Sequence, residues 1–310
     1  MTLWVTGLTH SLAFSHTALM SAQTHTQTRN ENDAIILNVQ TVPNQPMNKF
    51  IRPPMPVFKS LEEKQTHVKE RLACALRIFG KYGYDEGVAG HITVRDPIDP
   101  KRFWVNPFGV AFSLMTASDL LLVDHKGSIV GGGKGERLPF RPANRQIYNR
   151  AAYCIHAAIH AARPDVDAAA HSHSIYGKAF NMTNQDVCVF YNDHALYPNF
   201  GGVVVAEEES ANIVKYLGNT KALILQNHGI LTVGHTVEEA VAWFIRLEKS
   251  CQTQLLADAA ATGKDSSTIK ISHEEAQFTH DQIGTPHAGW FSGTPYFDVI
   301  EAETGGAYKL

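Results

Sequence analysis

Two histidines stand two residues apart in AAAHSHS (His171 and His173), and a third, His228, sits in LILQNHGILTVG. On a β-strand, residues i and i+2 project to the same face. A third imidazole delivered by a tight turn far along the chain would complete a tripod. Three neutral imidazoles around a divalent ion, with one position left open, make a catalytic metal site. Ala168 to Ala170 form a small apolar run suited to a buried strand, and ligands of open α/β sheets bind at strand ends. Gly229, beside His228, permits the sharp turn.

Other residues compete for chemical roles. His156 and His160 are spaced i, i+4, which can hold zinc on a helix. The residues between them read A-A-I, without the glutamate of a helical metalloprotease motif, so the pair reads as two polar residues on a helix face. His156 remains a candidate to point into the pocket. His194, in FYNDHALY, is a candidate for substrate contact, oriented by Asp193 or Tyr191. Tyr296 is a tail tyrosine that could move protons. The glycine-rich GGGKGE stretch lacks the GxxxxGK[ST] spacing of a phosphate loop and reads as a loop only.

These side chains must be carried by strands and helices. The S-x-x-E spacing of Ser60 and Glu63 predicts a helix start. Val68, Leu72, Leu76 and Phe79 continue it to Gly83. GVAGHITVRDP and RFWVNPFG predict strands, and TASDLLLVDHKGSIVGGG predicts a helical turn and two strands around a His125-Lys126-Gly127 turn. A helix is expected from Asn144 to Ala162, stopped by Pro164. The strand DAAAHSH and the helix SIYGKAFNM follow. VCVFY and GGVVVA read as buried strands, EEESANIVKYLG as a helix, and KALILQ and GILTVG as strands flanking Asn227-His228-Gly229. A last helix runs from Thr236, with Glu239 at its cap, to Gly263. Helices and strands alternate without repeats, which predicts one α/β domain, a three-layer α/β/α sandwich around a mixed sheet.

The chain has 310 residues, of which 44% are hydrophobic, and a formal net charge of −3. That balance, without a long basic run, gives no reason to expect a nucleic-acid partner. No apolar run approaches the ~20 residues of a membrane span. Cys74, Cys154, Cys188 and Cys251 form no CxxC pair, and reduced thiols in a cytoplasmic protein are expected. Residues 1–55 read as a flexible leader. Arg29 is the one arginine among its first 29 residues, which leaves a mitochondrial presequence as the alternative. Residues 56–262 form the expected metal-binding domain. The tail, 263–310, carries Trp290, Phe291, Tyr296 and Phe297, so it is expected to dock on the body or on a neighbouring subunit.

The segments GVAGHITVRDP, TASDLLLVD, AARPDVDAAAHSHS and ALILQNHGILTVGHTVEEA resemble the class II aldolase/adducin family over residues 60–262. The resemblance implies an α/β/α sandwich and homotetramers with active sites at subunit interfaces. It also implies a divalent metal held by His171, His173 and His228, with Zn2+ first and Fe2+ or Mn2+ as alternatives. Two departures stand out. The family's aldolases place an acid/base glutamate where this chain has Ala152, and their glycine-asparagine phosphate loop reads Gly90-His91-Ile92-Thr93 here. The expected activity is therefore a metal-dependent lyase, by aldol cleavage or decarboxylation, on a small unphosphorylated carbonyl compound. The alternatives are a non-haem iron oxygenase acting on a 2-keto or 2-hydroxy acid and an adducin-like interaction module without catalysis.

Overall fold

The computed structural model describes residues 53–133, 147–179, 188–198, 207–262 and 268–310. Helix α1 (Leu61–Tyr82) starts at Ser60, whose side chain accepts the Glu63 amide, and ends at Gly83 in the left-handed conformation. The Glu63 carboxylate closes the cap one residue early, on the Lys59 amide at 2.6 Å. Four strands follow: β1 (His91–Arg95), β2 (Phe103–Val105), β3 (Leu121–Val123) and β4 (Ile129–Gly132). Then come helix α2 (Arg150–Ala162), strand β5 (Ala168–Ser172), helix α3 (Ile175–Ala179), strand β6 (His194–Tyr197), helix α4 (Glu207–Leu217), strands β7 (Ala222–Leu225) and β8 (Gly229–Gly234), and the long helix α5 (Val237–Thr262). Helices α6 (His273–Ile283) and α7 (Pro286–Thr304) end the chain.

The strands form one eight-stranded sheet in the order β4-β3-β2-β1-β5-β8-β7-β6. Pairing is antiparallel except between β6 and β7. Because strand side chains alternate, the sheet feeds two cores. Ile92, Val94, Ala168, Ala170, Ile224 and Ile230 pack with α1, α5 and α7. Ala169, Leu223, Leu225, Leu231 and Val233 pack with Ile155 and Ile159 of α2 and Ile213 and Leu217 of α4. The result is a three-layer α/β/α sandwich around a mixed sheet, as the alternation of elements predicts.

The register matters most for the site. β5 runs antiparallel to both of its neighbours, with His171 opposite His91 on one side and Leu231 on the other. The end of β5 and the starts of β1 and β8 therefore share one edge of the sheet. The opposite edge carries Arg95, Asp167 and His235 (the residue after β8).

Several local expectations change. α2 begins at Arg150, with Asn149 as the cap that accepts the Ala151 amide; Asn144 lies outside the described residues. Within VCVFY, Cys188–Phe190 form a 3-10 turn rather than a strand, and the strand is the later HALY segment. Asn192 takes a positive φ of 54°, which turns the chain before it can pair. The segment GGVVVA, nearly all of the 1–55 leader and the end of GGGKGE lie outside the described residues. The tail is helical and packed: Trp290, Phe297 and Ile300 are buried. A Cβ on Gly289 would come within 2.5 Å of the Trp243 ring, so this glycine lets α7 lie close on α5. Cys74, Cys154 and Cys251 are free thiols. Among the described residues, no helix is long and apolar enough to cross a membrane.

Candidate metal centre and its histidine network

His171 is the penultimate residue of β5 and buried, His173 follows the strand half-buried, and His228 lies in the turn between β7 and β8. That turn is tight. The His228 amide donates to the Leu225 carbonyl at 2.9 Å, Asn227 has φ 58° and Gly229 has φ 157°. A Cβ at Gly229 would stand 2.3 Å from the Ser172 carbonyl oxygen, so only glycine lets the turn close against β5. The three rings converge with centroid separations of 5.3 Å (171–173), 5.0 Å (171–228) and 4.8 Å (173–228). One nitrogen from each ring falls in a set whose members all lie within 4.8 Å of one another.

The nitrogens face the right way for a cation. His171 Nδ1 is 2.9 Å from the Ile230 carbonyl, so it carries the proton and leaves Nε2 as the coordinating atom. His173 Nδ1 is 3.4 Å from Glu86 Oε2, which favours the same tautomer. His173 Nε2 and His228 Nε2 are 3.0 Å apart. Two nitrogens bound tetrahedrally to one zinc at its usual bond length lie about 3.3 Å apart, so this spacing fits a shared ion. Burial holds the His171 imidazole well below its ordinary pKa, lowers that of His173, and pulls His228 to about 4, helped by His173 beside it. All three rings are neutral at pH 7, the form that ligates. The donor set, three neutral imidazoles and no thiolate, suits zinc or iron.

Behind the tripod lies a second layer, of which sequence reasoning named only His156 as a site residue. His91, opposite His171 in the sheet, has its ring centroid 4.9 Å from that of His171. Its Nδ1 is 2.7 Å from His156 Nε2. His156 Nδ1 is in turn 2.6 Å from Thr93 Oγ1, which also lies 2.9 Å from His160 Nε2. His91, Thr93, His156 and His160 are all buried. Burial, and then the neighbouring imidazoles, hold His91 and His156 well below the ordinary histidine pKa, and burial beside Arg95 takes His160 to about 3. The signal was visible in part. His91 and Thr93 alternate on β1, and His156 and His160 share a helix face, but nothing in one sequence pairs that strand with that helix. Glu86, in the loop before β1, carried no signal at all.

The other candidates fare differently. His156 does not reach the tripod directly; it touches His91 instead. His156 and His160 do share one face of α2, as two polar residues rather than a zinc pair, and that face is buried against Thr93. His194 is misplaced as a substrate contact. It opens β6, two strands or about 10 Å across the sheet from β8, and pairs with Ala222 at the end of β7 away from His228. Its Nδ1 bonds to the Phe190 carbonyl at 2.8 Å. Asp193 orients Lys221 and His280 rather than His194. Tyr191 bonds to His273. Tyr296 sets its ring edge against Tyr82, with centroids 5.7 Å apart, in the aromatic layer between α1 and α7. Ala152 is fully buried on α2 one turn before His156, so no carboxylate enters the site there.

Comparison with known proteins identifies the family. The family model for the class II aldolase and adducin N-terminal domain matches residues 70–255. The chain belongs to that family. Its relatives include a protein named decarboxylase NovR from Streptomyces niveus, 39% identical over 85% of this chain and 94% of the relative. Another is named 4-hydroxy-3-prenylphenylpyruvate oxygenase/4-hydroxy-3-prenylbenzoate synthase, from Streptomyces roseochromogenus, 38% identical over 84% of this chain and 90% of that one. Among solved structures, one titled L-fuculose 1-phosphate aldolase from Glaciozyma antarctica superposes with a TM-score of 0.72 at 48% identity, covering 82% of this chain and 96% of its own. The class II aldolase architecture is thus shared by fold and by sequence.

Proposed function

We propose that this protein is a metal-dependent lyase that breaks a carbon–carbon bond next to a carbonyl in a small, unphosphorylated hydroxy- or keto-compound. The observation that carries the reading is the convergence of His171, His173 and His228 as neutral donors at a strand edge, with no carboxylate at Ala152. These three side chains would hold the metal, zinc first by donor chemistry. Bound there, the cation would act as a Lewis acid on the substrate carbonyl and stabilise the negative charge that develops as the bond breaks. Such stabilisation in a dry site is worth several kcal/mol of barrier.

This chain's residues supply the rest. Glu86 and the Ile230 carbonyl fix the ring orientations of His173 and His171, so the open coordination position has a set direction. With alanine at position 152, protons fall to another group, and His91 is the imidazole against the tripod. The phosphate-free substrate is supported by that same His91, whose ring fills the position where the family's phosphate loop has asparagine. Decarboxylation also suits a site without a carboxylate base, because loss of CO2 leaves the electron pair behind without a prior deprotonation. A homo-oligomer is the expected assembly, by family.

The test is anaerobic incubation of the metal-loaded protein with 3-hydroxy-ketones, 2-keto acids and 3-keto acids, scored for aldehyde or CO2 release. Product release without oxygen supports the lyase. A hydroxyketone phosphate turned over far better than the free hydroxyketone would overturn the phosphate-free reading, and the 48%-identical structure titled as a phosphate aldolase makes that comparison pointed. The relative named as an oxygenase favours a second reading, oxidative cleavage of a 2-keto or 2-hydroxy acid with iron. Oxygen uptake in step with substrate loss, absent with zinc, selects it.

A further inference from the structure

Helix α3 has only 5 residues, yet it is held more firmly than its own cap requires. Ser174 precedes it, in the place of an N-cap, where a serine hydroxyl ordinarily accepts an amide two or three residues on. Here the hydroxyl donates instead to Glu248 of α5, 2.5 Å from Oε2. The same carboxylate accepts the two amides that the serine leaves, from Tyr176 at 2.9 Å and from Gly177 at 2.8 Å. One turn further along α5, the Gln252 side-chain amide donates to the Tyr176 hydroxyl at 2.9 Å. Ser174, Gly177 and Glu248 are all buried. Burying a carboxylate is costly, even when neutral donors surround it. A helix start alone would be served by the serine already in place.

The supports of the metal tripod run to this same short helix. Ser174 directly follows His173, so the grip of Glu248 holds the backbone beside a ligand. Near the other end of α3, Lys178 Nζ donates to both oxygens of Glu86, at 3.0 and 3.1 Å, and Glu86 Oε2 lies 3.4 Å from His173 Nδ1. Between them, Gly177 lies so close to β8 that a Cβ there would stand 2.7 Å from Ile230 Cγ2. The Ile230 carbonyl is the partner of His171 Nδ1. A helix this short has little stability of its own, so whatever fixes α3 also fixes what leans on it.

We propose that Glu248 is a positioning residue for the metal centre: by gripping α3 from α5 it sets the direction of the His173 ring, and with it the affinity of the tripod for its cation. The proposal rests on the tripod being the metal site. Two routes lead from the carboxylate to His173. One is the main chain, through Ser174. The other is the side chain, through Lys178 and Glu86 to Nδ1. The three bonds of Glu248 go to α3 and its cap, so it acts through them and not on the ligands themselves. A metal–nitrogen bond depends on where the ring's lone pair points, which is why groups behind a ligand tune affinity. Glu248 carries that tuning from a helix on one face of the sheet to a ligand at the end of a strand.

The test is zinc affinity of the full chain, by competition with a chelator, at a temperature where circular dichroism shows each variant folded. Glu248→Ala is expected to weaken zinc binding about tenfold or more, the usual cost of losing a group behind a ligand. Glu248→Gln keeps one acceptor oxygen and should fall between Glu248→Ala and wild type. Arg71→Met, which breaks a buried carboxylate pair at the other end of the strands, controls for a general loss of stability and should leave affinity unchanged. Cobalt in place of zinc gives a second readout: its visible spectrum reports ligand geometry, and Glu248→Ala should alter it. A Glu248→Ala variant of lowered stability, with zinc affinity within about twofold of wild type and an unchanged cobalt spectrum, would make Glu248 a helix cap only and overturn the proposal. If Glu248→Ala does not fold, Ser174→Ala and Lys178→Met cut the two routes singly. Each is expected to weaken zinc binding severalfold, and wild-type affinity in both would overturn the proposal equally. Wild type that binds no zinc, or that keeps it in His173→Ala, would remove the tripod as the metal site and the proposal with it; normal zinc binding that ignores Glu248 would refute the clamp alone.

Discussion

The two ends of the strands both carry polar side chains and use them in opposite ways. At the far edge, a cleft of about 500 Å3 is lined by Lys64, Arg71, Arg95, Asp96, Asp167 and Glu238, among others. There the charges answer one another. Arg71 Nε meets Glu238 at 2.7 Å, Arg95 lies 3.4 Å from Asp167 and also donates to the His160, Arg163 and Val166 carbonyls, and Asp96 accepts from Gln65. At the tripod edge the groups are neutral imidazoles; His171 and His173 are each held by Nδ1, on the Ile230 carbonyl and Glu86, and the Nε2 atoms of His173 and His228 lie 3.0 Å apart. Saturated polar groups fix structure, whereas a set with spare valence aimed at one point is poised for a ligand.

That contrast can be broken from either side. The largest effect is expected from His173→Ala, which should abolish turnover and strip the metal, read by elemental analysis of the purified variant; retained stoichiometric metal would remove His173 from the ligand set. At the far edge, Arg71→Met leaves the buried Glu238 carboxylate without its main partner, and should lower unfolding free energy by roughly 3 kcal/mol in urea titration while metal binding is untouched. Gly229→Ala forces a Cβ into the Ser172 carbonyl, so the turn must shift and metal affinity should drop more than tenfold, measured by competition with a chelator. Glu86→Gln keeps the fold and removes the charge that steadies His173; metal affinity should fall by about tenfold in the same assay.

A pH titration sharpens the comparison at smaller amplitude. The buried His160 ring has its pKa depressed to about 3, while an unfolded histidine titrates near 6.5. Between those values the unfolded chain binds a proton that the folded chain refuses. Folding stability is therefore full above about pH 6.5 and falls as pH drops toward 3. The melting temperature of the metal-free protein should decline across that window, and His160→Phe should flatten the decline.

Much of the site was legible because it is local. The H-x-H strand carries its own periodicity, and Asn227-His228-Gly229 advertises a turn through a glycine that nothing else can replace. Helix starts at Ser60 and Thr236 were equally local, resting on side chains that cap amides three residues on. What failed depends on distant partners. HALY pairs only because β7 lies beside it, so the more apolar VCVFY looked like the better strand. α7 contains Gly289, Gly293 and Pro295, which argue against a helix until Trp243 is seen to need the space above Gly289. The same reason hid His91. Its role comes from the β1–β5 register and from a helix laid across the sheet, and neither can be read along the chain. His194 misled for the opposite reason, since a histidine beside Asp and Tyr looks oriented whichever edge of the sheet it occupies.

The most direct measurement is X-ray absorption at the zinc edge on protein loaded with one equivalent of metal. Nearest scatterers of nitrogen or oxygen at about 2.0–2.1 Å, with the outer-ring pattern of three imidazoles that falls to two in His228→Ala, is the result expected here. A shell containing sulfur, or one unchanged when His228 is removed, would contradict it.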